Sequence, residues 1–214
     1  MDSTTTPTTG PGLRERKKLA TKQALALAAV QLAVEHGLEN VRVEDITDRV
    51  NVSRRTFTNY FTCKEEAIAS MSADRFARAA EALRDRPAGE PLAESLAEVF
   101  AAEHEAAAQL DRERVMPIRM VMTSPALQGE ALKAMAQAEE PLAKAIAERT
   151  GADPQGDLYP QVLAAAVMAA VRTATAHWAV SGGAVALPDL IRQAVHQVTS
   201  PPADAASAPA ANPR

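Results

Sequence analysis

Residues 50–61 read VNVSRRTFTNYF, a polar, basic and aromatic stretch whose spacing points to recognition chemistry. On a helix, Phe57 and Phe61 stand four residues apart and share one face, which would anchor the helix inward. Arg54 and Thr58 share a second face, and Arg55 and Asn59 a third. Arg forks onto the O6 and N7 of guanine, Asn pairs with adenine, and Thr meets bases or the thymine methyl. Tyr60 and Lys64 fall at the far end, where phosphate oxygens would lie. A helix anchored by aromatics and faced with such groups suits a major groove.

The residues before it supply the rest of a helix-turn-helix. Val43, Ile46, Val50 and Val52 give an apolar side. Asn51 sits where a left-handed backbone is needed, which Asn tolerates better than any residue but Gly. Ser53 is a good N-cap for the next helix. A short amphipathic helix with two arginines is also common on ordinary surfaces, and this pattern alone has many false positives. Charge weighs toward nucleic acid. Residues 13–64 hold ten Lys/Arg against six Asp/Glu, a net of +4 that leaves −8 for the remainder of a chain whose total is −4. A basic arm, LRERKKLATK, lies just upstream.

Positioning these groups calls for helices. No strand alternation is visible, and the 214 residues are dominated by alanine- and leucine-rich stretches, the residues that cost least in a helix. About nine helices are expected, over 15–36, 43–50, 54–60, 64–83, 91–108, 111–123, 126–149, 157–180 and 188–199. Gly37 suits the end of the first, whose apolar stripe is Leu25, Ala28, Ala29 and Leu32. Glu44 and Asp45 suit the dipole at the start of the second. Thr62 and Glu65 form a capping box for the fourth. Pro117 and Pro141 predict kinks. The expected organisation is all-α: a disordered arm at 1–12, a helix-turn-helix domain at 13–62, a larger helical domain at 63–199, and a disordered tail at 200–214 rich in Pro, Ser and Ala.

One cysteine excludes an internal disulfide and a thiolate zinc site. No apolar run approaches the roughly 18 residues of a membrane span, and MDSTTTPTTGPG lacks the apolar centre of a signal peptide. A cytoplasmic protein with no membrane partner is expected.

Residues 15–66 resemble the DNA-binding domain of TetR-family transcriptional regulators, of actinobacterial type. The landmarks are the stripe ending in EHG, then VEDI, VS, RTFTNYF and KEEA, in the family's order and spacing. The resemblance implies that Arg54, Arg55, Thr58 and Asn59 read bases, that Thr56, Tyr60 and Lys64 hold phosphates, and that Ser53 stands among the DNA-facing residues. Four positions depart from the family's habit. Asn51 replaces a Gly, Thr47 an Ala, Cys63 a Ser or Asn, and Arg42 a Thr. Arg42 adds a phosphate contact or is a solvated charge, and we favour the contact. Cys63 is a replaced cap, with a redox switch as the less favoured alternative.

The resemblance further implies a helical regulatory domain with a small-molecule cavity and a homodimer formed by the last two long helices. VLAAAVMAAVRTATAHWAV is nearly all small residues, which suits close helix packing in a dimer seam or equally in a buried core. Candidate ligand-binding residues are Phe100, His104, Met116, Arg119, Met120, Met135 and Trp178, with Met122 also in view. Methionines adapt to varied apolar ligands, though such a stripe is more often plain core. Arg114 and Arg119 could hold a carboxylate or phosphate, or a structural ion pair. A loosely similar R…TSPAL segment occurs in members that look like acyl-CoA sensors. The four histidines lack metal spacing. No cofactor or metal is expected, and no nucleophile elbow, phosphate loop or H-E-x-x-H marks an enzyme.

The leading expectation is thus a homodimeric repressor that binds a palindromic operator in double-stranded DNA and is released by a small, largely apolar ligand, an acyl-CoA or a drug-like molecule. The alternatives are an activator or ligand-independent regulator, and a helical interaction module without sequence-specific DNA binding.

Overall fold

Alanine, leucine and long polar side chains write the backbone as helices, and the computed structural model has eight α-helices and a short 3₁₀ turn among its described residues, 12–105, 118, 121–122 and 124–199. They are α1 (Leu13–His36), the 3₁₀ turn (Leu38–Asn40), α2 (Val43–Val50), α3 (Arg54–Thr58), α4 (Lys64–Arg84), α5 (Leu92–Ala102), α6 (Pro125–Thr150), α7 (Leu158–Ser181) and α8 (Leu187–Thr199). The described residues contain no strand. The expected arm and tail lie outside them except for Gly12, as does most of the helix expected over 111–123. Ile118, Val121 and Met122 of that segment are helical.

The chain divides into two compact units, Met1–Met71 and Ser72–Arg214, and the division falls within α4. In the first unit α1 packs on α2 and on the 3₁₀ turn, and α2 on α3. The stripe of α1 is buried as expected, with Leu25 and Ala29 fully enclosed and Ala28 and Leu32 nearly so. Gly37 ends that helix at φ 82°, a left-handed value that a β-carbon would strain. Arg49 on α2 donates to both carboxylate oxygens of Glu35 on α1, at 2.9 and 2.8 Å, a two-pronged clamp between the helices.

The start of α4 corrects the expected cap. Glu66, not Glu65, turns back, and its Oε2 accepts from the backbone N–H and the hydroxyl of Thr62, each at 2.6 Å. Cys63 is the cap itself, its Sγ accepting from the Glu66 N–H at 3.4 Å. The reciprocal bond therefore spans four residues and closes outside the cap.

In the second unit α5 and α7 pack on α8, and α6 on α7. The core is unusually rich in small side chains: Ala79, Ala97, Ala101 and Ala164 are fully buried beside Leu83, Leu96, Phe100, Leu142, Ile146, Val167, Met168 and Ile191. Small residues let helix axes approach closely. Pro141 lies inside α6.

By length and composition α7 is long and apolar enough to cross a membrane, which corrects the expectation that no run approaches that length. Half of its most apolar window is buried within the protein, and Leu163, Val167, Met168, Val171 and Trp178 belong to the core. It is built as a core helix.

The loop between α4 and α5 is held by one arginine. Arg149, in the last turn of α6, donates to the carbonyls of Arg86, Pro87 and Glu90 at 3.1, 2.6 and 3.0 Å and to the Ser95 hydroxyl at 2.9 Å. Glu90 is in turn paired with Arg86 and accepts from Ser95. The Arg86 and Ser95 hydrogen bonds pull the Glu90 carboxyl down from the ordinary carboxylate range to about 2.

Candidate nucleic-acid interface

The interface begins with how α2 stops. Asn51 adopts the left-handed conformation, φ 56° and ψ 51°, the non-glycine residue with positive φ among the described residues. The Val52 N–H then reaches back to the Thr47 carbonyl at 3.0 Å, closing the end of the helix. The chain is thereby turned at once into α3. Ser53 caps that helix, its Oγ accepting from the Thr56 N–H at 3.1 Å and lying 2.9 Å from the Thr56 hydroxyl.

α3 is shorter than expected and ends at Thr58, but helical hydrogen bonds continue through Asn59 N–H to Arg55 and Phe61 N–H to Phe57, at 3.2 and 3.0 Å. Phe57 and Phe61 are buried, their ring centres 5.6 Å apart and tilted by 52°, a favourable aromatic geometry. The opposite side presents Ser53, Arg54, Arg55, Thr58 and Asn59 to solvent, with Thr56 and Tyr60 half-buried at the flanks. The Thr58 hydroxyl donates back to the Arg55 carbonyl at 3.1 Å, so it offers an outside partner its lone pairs and its methyl group.

Two residues have internal duties that their sequence positions do not reveal. Lys64 is half-buried, and its Nζ donates to the carbonyls of Leu38 and Val41 at 2.7 and 2.9 Å. Two of its three donors thus tie the start of α4 to the turn that leads into α2. Arg42 stands at the cap of α2, where its backbone N–H is taken by Asp45 Oδ2 at 2.8 Å and its side chain is exposed. Arg54 carries an ion pair to Glu44 of α2, Nη1 to Oε1 at 2.9 Å, with both side chains more than half exposed. Glu44 was legible only as a helix-dipole residue; its partner is ten positions away and becomes adjacent only through the turn.

The candidate ligand residues fall in the second unit. Phe100 and Trp178 are buried in its core, and Met135 packs partly buried against that core. His104 is buried one turn beyond Phe100 and donates through Nδ1 to the Phe100 carbonyl at 2.8 Å. Burial pushes its imidazole below the usual histidine range. Arg75 on α4, which sequence reasoning missed, is also held below its ordinary value, first by burial and then by neighbouring Arg78. Met116, Arg119 and Met120, like Arg114, lie outside the described residues, and Met122 is exposed.

Comparison with known proteins agrees with this architecture. Residues 25–71 match the family model for bacterial regulatory proteins of the tetR family, and residues 86–202 match that for the MftR C-terminal domain. The chain is 35% identical over 192 residues to the HTH-type transcriptional regulator TcmR of Streptomyces glaucescens, covering 83% of this chain and 84% of that protein. Two solved structures share the fold at lower identity. FadR of Thermus thermophilus, a TetR-family repressor in complex with lauroyl-CoA, has a TM-score of 0.55 at 20% identity, over 83% of this chain and 93% of its own. FadR of Bacillus halodurans, a fatty acid degradation regulator, has a TM-score of 0.54 at 15% identity, over 91% and 97%. With both units matched and a curated relative aligned along most of its length, the chain belongs to the TetR family of DNA-binding transcriptional regulators.

Proposed function

We propose that this regulator is a cytoplasmic homodimeric repressor whose α3 enters the major groove of a palindromic operator and which leaves DNA when a small, largely apolar ligand binds its second unit. The observation that carries the reading is the two-sided character of α3, with Phe57 and Phe61 buried and Arg54, Arg55, Thr58 and Asn59 exposed. Arg54, Arg55, Thr58 and Asn59 read bases. Ser53, Thr56, Tyr60 and the Arg42 side chain hold the flanking backbone. Lys64 contributes its charge while its donors organise the start of α2.

A palindrome is read by two such helices about 34–36 Å apart, which requires two chains. A mostly apolar exposed stripe on α7, interrupted by Arg172, supports the second copy: Leu158, Val162 and Val180 are 70%, 54% and 64% exposed, with Ala165 and Ala176 on the same side. For the ligand, the lauroyl-CoA complex of T. thermophilus FadR makes acyl-CoA thioesters the first class to test, and drug-like apolar molecules the second. Release follows if the ligand binds one of two conformations more tightly.

The test is selection of binding sites by the full-length chain from a randomised DNA library. An enriched palindrome is expected, bound by two chains and released by a saturated acyl-CoA. Binding without sequence preference would refute the reading, and an undiminished complex at saturating acyl-CoA would refute that ligand class.

A further inference from the structure

The ion pair between Arg54 and Glu44 joins the first residue of α3 to the first turn of α2. In a helix-turn-helix, residues at the start of the second helix reach base edges while the first helix crosses the phosphate backbone. Arg54 stands at the first of these positions and Glu44 beside the second. An exposed pair of this kind adds at most a little to stability, because water screens it. The same modest attraction biases where the guanidinium sits. An arginine side chain is long, and most of its rotamers must be given up before it can fork onto a base. The Glu44 carboxylate stands against Nη1 as an ion pair, which engages neither Nε nor Nη2. The edge formed by Nε and Nη2 is the fork that fits the O6 and N7 of guanine. The neighbouring acid has another task, Asp45 Oδ2 accepting from the Arg42 N–H.

We propose that Glu44 is a positioning residue that sets base preference: it aims Arg54 at a guanine and restrains that arginine from serving as a general phosphate contact. The inference rests on the reading of α3 as the DNA-recognition helix. On a cognate site the pair stays together, Glu44 on Nη1 and guanine on the Nε–Nη2 edge. On other sequences no acceptor meets that edge. The guanidinium, already partnered by a carboxylate, gains little from a phosphate, and the carboxylate repels the strand that α2 crosses. Non-cognate binding is held down more than cognate binding.

The test uses the full-length chain and DNA selected by the wild type from a randomised library. Affinities for the selected site and for a scrambled duplex are measured across a salt series for the wild type, Glu44→Gln, Arg54→Ala and the double variant. Glu44→Gln is expected to bind the scrambled duplex more tightly, with a salt slope steeper by about 1, as one more phosphate contact requires. Discrimination should fall a few-fold, the scale of an exposed ion pair. In the Arg54→Ala background, Glu44→Gln should leave discrimination unchanged. Equal gains on both duplexes, or the same loss of discrimination without Arg54, would overturn the proposal while leaving the DNA-binding reading intact. A wild type that selects no sequence would remove that reading and this inference with it. Thermal melting separates a helix-dipole role, which would move Tm but not base preference.

Discussion

Asn51 illustrates how much one side chain decides. Its backbone sits at φ 56°, and the Val52 N–H reaches Thr47 only because it does. Asn51→Gly should be neutral or slightly stabilising, because glycine enters this region freely. Asn51→Val should cost about 1–2 kcal/mol and weaken operator binding by misaiming α3, checked by thermal melting alongside binding. The need for a left-handed residue was legible in the sequence, since the position between two helical patterns and the choice of Asn both signal it. The role of Lys64 was not. Its position at the end of the motif suggests a phosphate contact but not the two carbonyls, 23 and 26 residues earlier in the chain, to which its Nζ also donates. No local pattern reports a contact made at that separation. Glu44 was hidden for the same reason, its partner being visible only once the turn has folded.

At the scale of elements, the caps and periodicities predicted most helix bounds to within a few residues, because those signals are local. What they could not give is which loop is pinned and by what. Arg149 donates to three carbonyls of the α4–α5 connection from the end of α6, a contact across about sixty residues. Arg149→Lys should not rescue Arg149→Ala, since an ammonium cannot reach several acceptors with a planar fork; both are expected to lower Tm. Glu90 supplies a pH signature. Its folded-state carboxyl titrates near 2, well below its ordinary value, so its contribution is complete above the ordinary range and is lost as the pH falls through about 2. Acid unfolding of Glu90→Gln should therefore show a shallower loss of stability over that window than the wild type. The start of α1 makes a third case. Residues 12–20 are all exposed and include Arg14, Arg16, Lys17 and Lys18. Replacing Lys17 and Lys18 with Gln should leave base preference unchanged and reduce the salt slope of operator binding by up to about 2, if both meet phosphates.

For the molecule as a whole, the exposed stripe of α7 sets the expectation for assembly. Val162→Glu with Val180→Glu places charge on that stripe, and light scattering should find monomers for this variant and dimers for the wild type. Operator affinity should fall with it, because two half-sites are then bound separately. The alanine-rich core has a different implication, for how this protein can vary. Ala79, Ala97, Ala101 and Ala164 are fully buried and carry only a methyl group, so glycine is the one truncation left there. An alanine scan would pass over these sites in silence. Enlarging any of them to leucine should cost about 1–3 kcal/mol by forcing neighbouring helices apart. At these four positions drift is thus limited from above: the substitutions that fit are those that take up no more room than a methyl group.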